Sequence, residues 1–232
     1  MLRFLSMLLT AGCLSASLVA AAEPAPIQLA KGDKVLFFGD SITQAASGPE
    51  GYITVIKKTL DEKHKDLGIE LINAGISGHR VPNLQGRLQR DVLNRKPNIV
   101  VIYIGINDVW HSGNGRGTPA PAFESGLKDL IAKIKAGGAK VVLCTPTVIG
   151  EKKDGGNHFD KMLDQYSDIS RKVAAETEVP LVDLRKAFVE WLQQNNPNNA
   201  DKGLLTGDTV HLNKAGNALV AEKMLGGLGV GK

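Results

Sequence analysis

Cysteine is scarce: the 232 residues contain only Cys13 and Cys144. Cys13 lies in an N-terminal targeting stretch, so once that stretch is removed no internal disulfide can form. The rest must hold together by its own apolar core, which this length allows. Cys144 closes the run Lys140-Val141-Val142-Leu143-Cys144, a setting for a buried structural thiol rather than a nucleophile. Aromatic residues are also few, at 5%. Basic residues exceed acidic ones only by 28 to 24, a formal charge of +4 spread along the chain. With no basic stripe interleaved with aromatics, nucleic acid is not an expected partner. No His/Cys/Asp spacing reads as a metal site. No Gly-x-Ser-x-Gly elbow occurs, which argues against an ordinary α/β-hydrolase. A content of 43% hydrophobic and 22% charged residues excludes a disordered tail and a membrane bundle.

The long apolar run sits at the N-terminus. Arg3 precedes a mostly apolar stretch over 4–19, and Ala20-Ala21-Ala22 before Glu23 forms an A-x-A cleavage signal. The run is short for a bilayer span and no charged stop follows it. Residues 1–22 therefore read as a signal peptide and 23–232 as a single exported domain, periplasmic or secreted, with no stable membrane span after cleavage. A rival reading is a lipoprotein signal ending at Cys13. There Thr10 stands where a branched aliphatic residue is wanted.

Beyond the leader, short apolar runs alternate with amphipathic stretches. Runs at 34–38, 70–73, 98–104, 140–144 and 179–183 read as strands covered on both faces, as in parallel sheets. Helical spacing links Tyr52, Val55, Ile56 and Leu60, then Val81, Leu84, Leu88 and Val92. It links Phe123, Leu127, Leu130, Ile131 and Ile134, and also Met162, Tyr166, Ile169 and Val173. A last helix is predicted over 213–225. Gly137-Gly138 closes the third helix and Pro97 stops the second. The rhythm predicts an α/β fold: a three-layer α/β/α sandwich around a doubly wound, flavodoxin-like sheet of about five parallel strands. Segments 112–121 and 145–157 read as surface loops beside a site.

In such a sheet ligands bind outside the carboxyl ends of the strands. Gly39-Asp40-Ser41-Ile42-Thr43 follows the first strand, and Asn73-Ala74-Gly75-Ile76-Ser77-Gly78 the second. Gly105-Ile106-Asn107-Asp108 follows the third, and Asp208-Thr209-Val210-His211 precedes the last helix. A serine hydroxyl needs an adjacent base, normally His, and that His needs a carboxylate to hold its tautomer. The attacked carbonyl needs preorganised N–H donors. Ser41, Asp208 and His211 supply the first set. The backbone N–H groups of Ser41 and Gly78 and the side-chain amide of Asn107 supply the second. Taken singly, each has a plainer reading. Ser41 after a strand suits a helix cap, Gly78 and Asn107 suit turns, Asp208 suits a turn and His211 a helix entry.

Together these segments resemble the SGNH (GDSL-type) hydrolases over residues ~34–225. GDSIT at 39–43 resembles the nucleophile block, NAGISG at 73–78 the glycine block, GIND at 105–108 the asparagine block and DTVH at 208–211 the Asp-x-x-His block. Ile42-Thr43 replaces the commoner Leu-Ser ending of the nucleophile block, at positions with no catalytic role. The resemblance implies a serine esterase or deacylase that needs no metal and no cofactor, with a small-molecule or carbohydrate ester as substrate. Exported members often deacetylate carbohydrates. The low aromatic content and lack of a long lid-forming insertion favour short acyl groups, acetyl on sugars above all. The alternatives are a lysophospholipase or general short-chain arylesterase and, in another class, a non-catalytic carbohydrate-binding protein on the same fold.

Asp40, His79, Trp110 and His111 are candidate pocket residues. Asp40 and Asp108 also suit loop bracing by hydrogen bonds. His64 reads as a solvated helix end, His158 as capping or exposed, and Asp183 as structural.

Overall fold

The computed structural model describes residues 24–230. The expected signal segment and Cys13 lie outside the described residues. Five parallel strands form one sheet: β1 (Lys34–Gly39), β2 (Glu70–Gly75), β3 (Ile99–Tyr103), β4 (Lys140–Cys144) and β5 (Leu181–Val182), in the order β2-β1-β3-β4-β5. Val35 pairs with both Leu71 and Ile99, and Ile99 with Lys140, so the strand ends stay level along one rim. Every residue of β3 is buried. That is why these runs lack apolar/polar alternation: helices cover both faces.

The helices are α1 (Ser41–Ala45), α2 (Tyr52–Lys63), α3 (Val81–Asp91), α4 (Ile106–Trp110), α5 (Ala120–Ala136), α6 (Asp160–Glu176), α7 (Leu184–Asn195) and α8 (Lys214–Gly227). The chain steps from β1 outward through α2 to β2, then back through α3, α5 and α6 to β3, β4 and β5. Right-handed crossovers in opposite directions place α2 on one face and α3, α5 and α6 on the other. α8 packs against α2 and α7, and α5 against α3 and α6, completing the two outer layers. The winding reverses between β1 and β3, the switch point where such sheets hold ligands.

Several expectations shift. α3 ends at Asp91 rather than running up to Pro97; a 3₁₀ turn over Leu93–Arg95 intervenes, closed by Lys96 in the left-handed region (φ 49°). β5 is only two residues long. α7 was not anticipated, although Leu184, Phe188 and Leu192 recur at helical spacing and are buried. α1 and α4 are too short to show a period. The expected surface loop over 145–157 is buried from 145 to 151. Its polar side chains find partners inside: Thr145 Oγ1 accepts from Arg185 N at 2.8 Å, and the Thr147 and Tyr103 hydroxyls lie 3.0 Å apart.

Candidate functional site

β1 delivers Ser41 to the rim. Asp40 turns the chain there and caps α1, its Oδ1 accepting from Ile42 N at 3.0 Å. The cap role that Ser41 suits in sequence thus belongs to Asp40, which leaves the Ser41 hydroxyl free for another partner. The short helix is pinned from three sides. Asn73 Nδ2 donates to Thr43 O at 2.7 Å and to Ser47 Oγ at 2.9 Å. The buried Tyr52 hydroxyl donates to Thr43 Oγ1 at 2.9 Å. Gly75 lets β2 approach, since a Cβ there would lie 2.1 Å from Gln44 N.

His211 reaches the same place from the other end of the chain. A short antiparallel bridge, Thr206 with Leu212, closes a loop with Asp208–His211 at its tip. Gly207 N donates to His211 O at 2.9 Å, and Asp208 Oδ1 accepts from Val210 N at 3.1 Å and His211 N at 2.7 Å. Thr209 sits at φ 85°, a conformation costing a non-glycine residue about 1–3 kcal/mol and kept only where surroundings impose it. Asp208 Oδ2 lies 2.7 Å from His211 Nδ1, and His211 Nε2 lies 2.9 Å from Ser41 Oγ. An ionised carboxylate only accepts, so the ring proton sits on Nδ1 and Nε2 is left to accept from the serine hydroxyl. Partial burial pushes the Asp208 carboxyl up, but hydrogen bonds from the His211 ring and from the His211 and Val210 N–H groups outweigh it and hold it below the usual range.

The loops after β2 and β3 complete the rim. Ser77 N donates to Gln44 Oε1 at 2.6 Å, fastening the glycine loop to α1. Gly78 turns at φ 75°, where a side chain would be strained. Asn107, in the first turn of α4, is buried and donates Nδ2–H to His79 O at 3.1 Å; its second amide hydrogen remains. Among the described residues, the Ser41 and Gly78 N–H groups have no acceptor. Three N–H donors at one rim can hold an oxygen that gains negative charge.

The candidate pocket residues separate. Asp40 is only 2% exposed, so it lies beneath the site rather than lining it, turned inward by its cap bond. Burial lifts its carboxyl to about 7, against the Ile42 hydrogen bond and with help from nearby Asp108. Asp108, lifted by burial to about 6, accepts from Val81 N at 3.0 Å and so ties α4 to α3. Trp110 is 40% exposed beside His111, with ring centroids 6.3 Å apart. His79 is half-buried, and its Nδ1 accepts from Arg87 Nε at 3.0 Å. His64 sits at the end of α2 and His158 is exposed ahead of α6. A cavity of about 440 Å³ opens between the end of α1 and the start of α8, lined by Ala45, Gly51, Leu212 and Lys214 among others. No cluster of three or more potential metal ligands occurs among the described residues.

Arg87 was missed in sequence. Its buried guanidinium lies 4.4 Å over the Phe38 ring, and donates to Gly39 O and Ala74 O at 2.8 and 2.9 Å. It thereby clasps the ends of β1 and β2 just before Ser41 and the glycine loop. The signal was present: a charge among Val81, Leu84 and Leu88 on an apolar helix face.

Residues 37–219 match the GDSL-like Lipase/Acylhydrolase family. The chain belongs to that family. It is a carboxylic-ester hydrolase of the SGNH serine type, and its fold is the α/β sandwich of its structural relatives. An acetyl xylan esterase structure, AlAXEase, is 47% identical, covering 82% of this chain and 97% of that one, with a TM-score of 0.80. The acetylxylan esterase of Geobacillus stearothermophilus is 32% identical over 222 residues, 88% of this chain and 97% of the relative. Solved structures of that enzyme, with a TM-score of 0.78, include catalytic mutants at a serine, an aspartate and a histidine. An arylesterase of Vibrio mimicus is 29% identical, covering 84% of this chain and 88% of the relative. In this company the reading as a non-catalytic binder is not retained. No helix among the described residues is long and apolar enough to cross a membrane.

Proposed function

We propose that this hydrolase is exported and removes short acyl groups, acetyl above all, from carbohydrates. Ser41 attacks the ester carbonyl while His211 Nε2 takes its proton. Asp208 holds the ring and stabilises the imidazolium. The Ser41 and Gly78 N–H groups and the Asn107 amide hold the oxyanion. His211 then returns the proton to the leaving sugar alkoxide. A water activated by the neutral ring attacks the acyl-enzyme, and acetate leaves.

The observation that carries this reading is the 2.9 Å contact between His211 Nε2 and Ser41 Oγ at an open rim. The Asp208 and His211 side chains are 57% and 41% exposed. A small acyl group needs little enclosure, whereas a sugar chain needs room to approach. The acetylxylan esterases among its relatives support the same substrate class. The Vibrio relative favours a second reading, a short-chain arylesterase.

The test compares acetylated xylooligosaccharides, p-nitrophenyl esters of increasing acyl length and lysolipid micelles, with Ser41→Ala as blank. The expected result is acetate release from the oligosaccharides, a steep fall in rate with longer acyl chains, and none with Ser41→Ala. Preference for lysolipid, or full activity in Ser41→Ala, overturns it. N-terminal sequencing of the exported protein, expected to begin at Glu23, tests the signal segment.

A further inference from the structure

Glu151 is fully buried and takes no part in the chemistry above. Its carboxylate lies against the foot of the loop that carries Asp208 and His211. Oε1 accepts from Leu205 N at 2.8 Å, Thr206 N at 2.5 Å and Thr206 Oγ1 at 2.7 Å, and Oε2 accepts from Leu204 N at 2.8 Å. The residues around Glu151 grip the same loop elsewhere. Gly150 N donates to Thr209 O at 2.9 Å, holding the strained tip between the aspartate and the histidine. Glu151 N donates to Asp201 O at 2.9 Å, and Asn196 Nδ2 donates to Glu151 O at 2.8 Å, fixing Glu151 itself.

The loop has no helix or strand of its own to keep its shape; among the described residues its only β pairing is the single Thr206–Leu212 bridge. Four charge-assisted hydrogen bonds on one buried carboxylate replace that missing regular structure. We propose that Glu151 is a positioning residue: it sets the distance from His211 to Ser41 by clamping residues 204–206, with Gly150 holding Thr209. The clamp acts through the loop and touches neither substrate nor reacting atoms. Because a misplacement near 1 Å costs on the order of a hundredfold in rate, slack at residues 204–206 reaches the chemistry before it reaches the fold. The inference rests on Ser41 and His211 being the reacting pair, and goes beyond it to what holds them in reach.

The experiment uses the full chain and p-nitrophenyl acetate well below Tm, with active sites counted by fluorophosphonate labelling. Glu151→Gln places an amide N–H₂ against one of the loop donors. Thr206→Val removes one hydroxyl donor and keeps the side-chain shape. Leu130→Ala, a core truncation in α5, reports generic loss of stability. The expected result for Glu151→Gln is kcat and the phosphonylation rate constant lower by about tenfold or more, with KM within about twofold. Thr206→Val shows a smaller loss of the same kind at near-native Tm. Leu130→Ala loses Tm and keeps kcat per active site. Native kcat per site in both clamp variants overturns the proposal, as does a loss no larger than Leu130→Ala shows at equal Tm. If Glu151→Gln does not fold, Thr206→Val decides alone. Labelling that persists in Ser41→Ala overturns the reacting pair instead, so the two failures are distinguishable.

Discussion

Arg87 Nε donates to His79 Nδ1 at 3.0 Å, and His79 O in turn accepts from Asn107 Nδ2 at 3.1 Å. A buried cation on α3 is thus linked, through one histidine, to the oxyanion donor proposed on α4. The acceptor role requires an unprotonated Nδ1, and burial followed by the Arg87 charge lowers the His79 pKa below its ordinary 6.5. Protons bind more readily to this histidine in the unfolded chain, so its contribution to stability is full above about 6.5 and shrinks as pH falls below that. Proton-titration NMR is expected to place His79 below 6.5, and Arg87→Met to return it toward that value. Arg87→Met also removes the buried donors to Gly39 O and Ala74 O, while Asp91 keeps its pair with Arg90 at 2.6 Å, and is expected to cost about 1–3 kcal/mol by denaturant unfolding.

On the proposed mechanism, Asn107→Ala removes a donor to the developing oxyanion and leaves the nucleophile and base in place. The expected outcome is a fall in kcat of about 10²–10³, roughly 2.7–4 kcal/mol, with KM little changed. Steady-state kinetics on an acetyl ester checks it. A rise in KM at constant kcat assigns the side chain to ground-state binding instead.

Asp40 gives a stability signature of opposite sense to an ordinary paired carboxylate. Burial raises its pKa from 3.8 to about 7, so the folded state holds the proton more tightly than the unfolded state. Stability therefore falls as pH rises through that window. Asp40→Asn keeps an oxygen for Ile42 N and carries no charge. Its Tm relative to the parent is expected to rise by several degrees between about pH 4 and about pH 8. Calorimetry at both ends decides; a constant difference rules out the buried charge as its source.

Cys144 is buried, and burial pushes its thiol well above the usual range. A protein beginning at Glu23 carries no other cysteine. It is expected to resist thiol reagents when native and to label fully in denaturant, making Cys144 a reporter of global opening. Rapid labelling under native conditions contradicts this.

The sheet was legible because burial on both faces writes continuous apolar runs, and β3 is the clearest case. The four rim segments were legible because each follows or faces a strand end and carries a residue type that acyl transfer requires. Other features were hidden for physical reasons. The inward turn of Asp40 depends on a backbone angle that composition does not encode. Glu151 precedes Lys152-Lys153-Asp154 and so looks like part of a solvated charge run, although it is among the most buried residues. The interior course of 145–151 followed from side-chain partners up to 55 positions away, beyond any local pattern. Arg87 was readable, since a lone charge on an apolar helix face must be matched by buried acceptors.

The order in which these parts are made has a consequence of its own. Ser41 precedes His211 by 170 positions, and α8, which is tied to the start of α2 by an Asn217 Oδ1 acceptor for Tyr52 N at 2.9 Å, comes later still. During translation the growing polypeptide carries the Ser41 hydroxyl through a further 170 positions before the His211 imidazole is made. On the proposed mechanism, any product that terminates before position 211 is chemically silent, however well its sheet has formed.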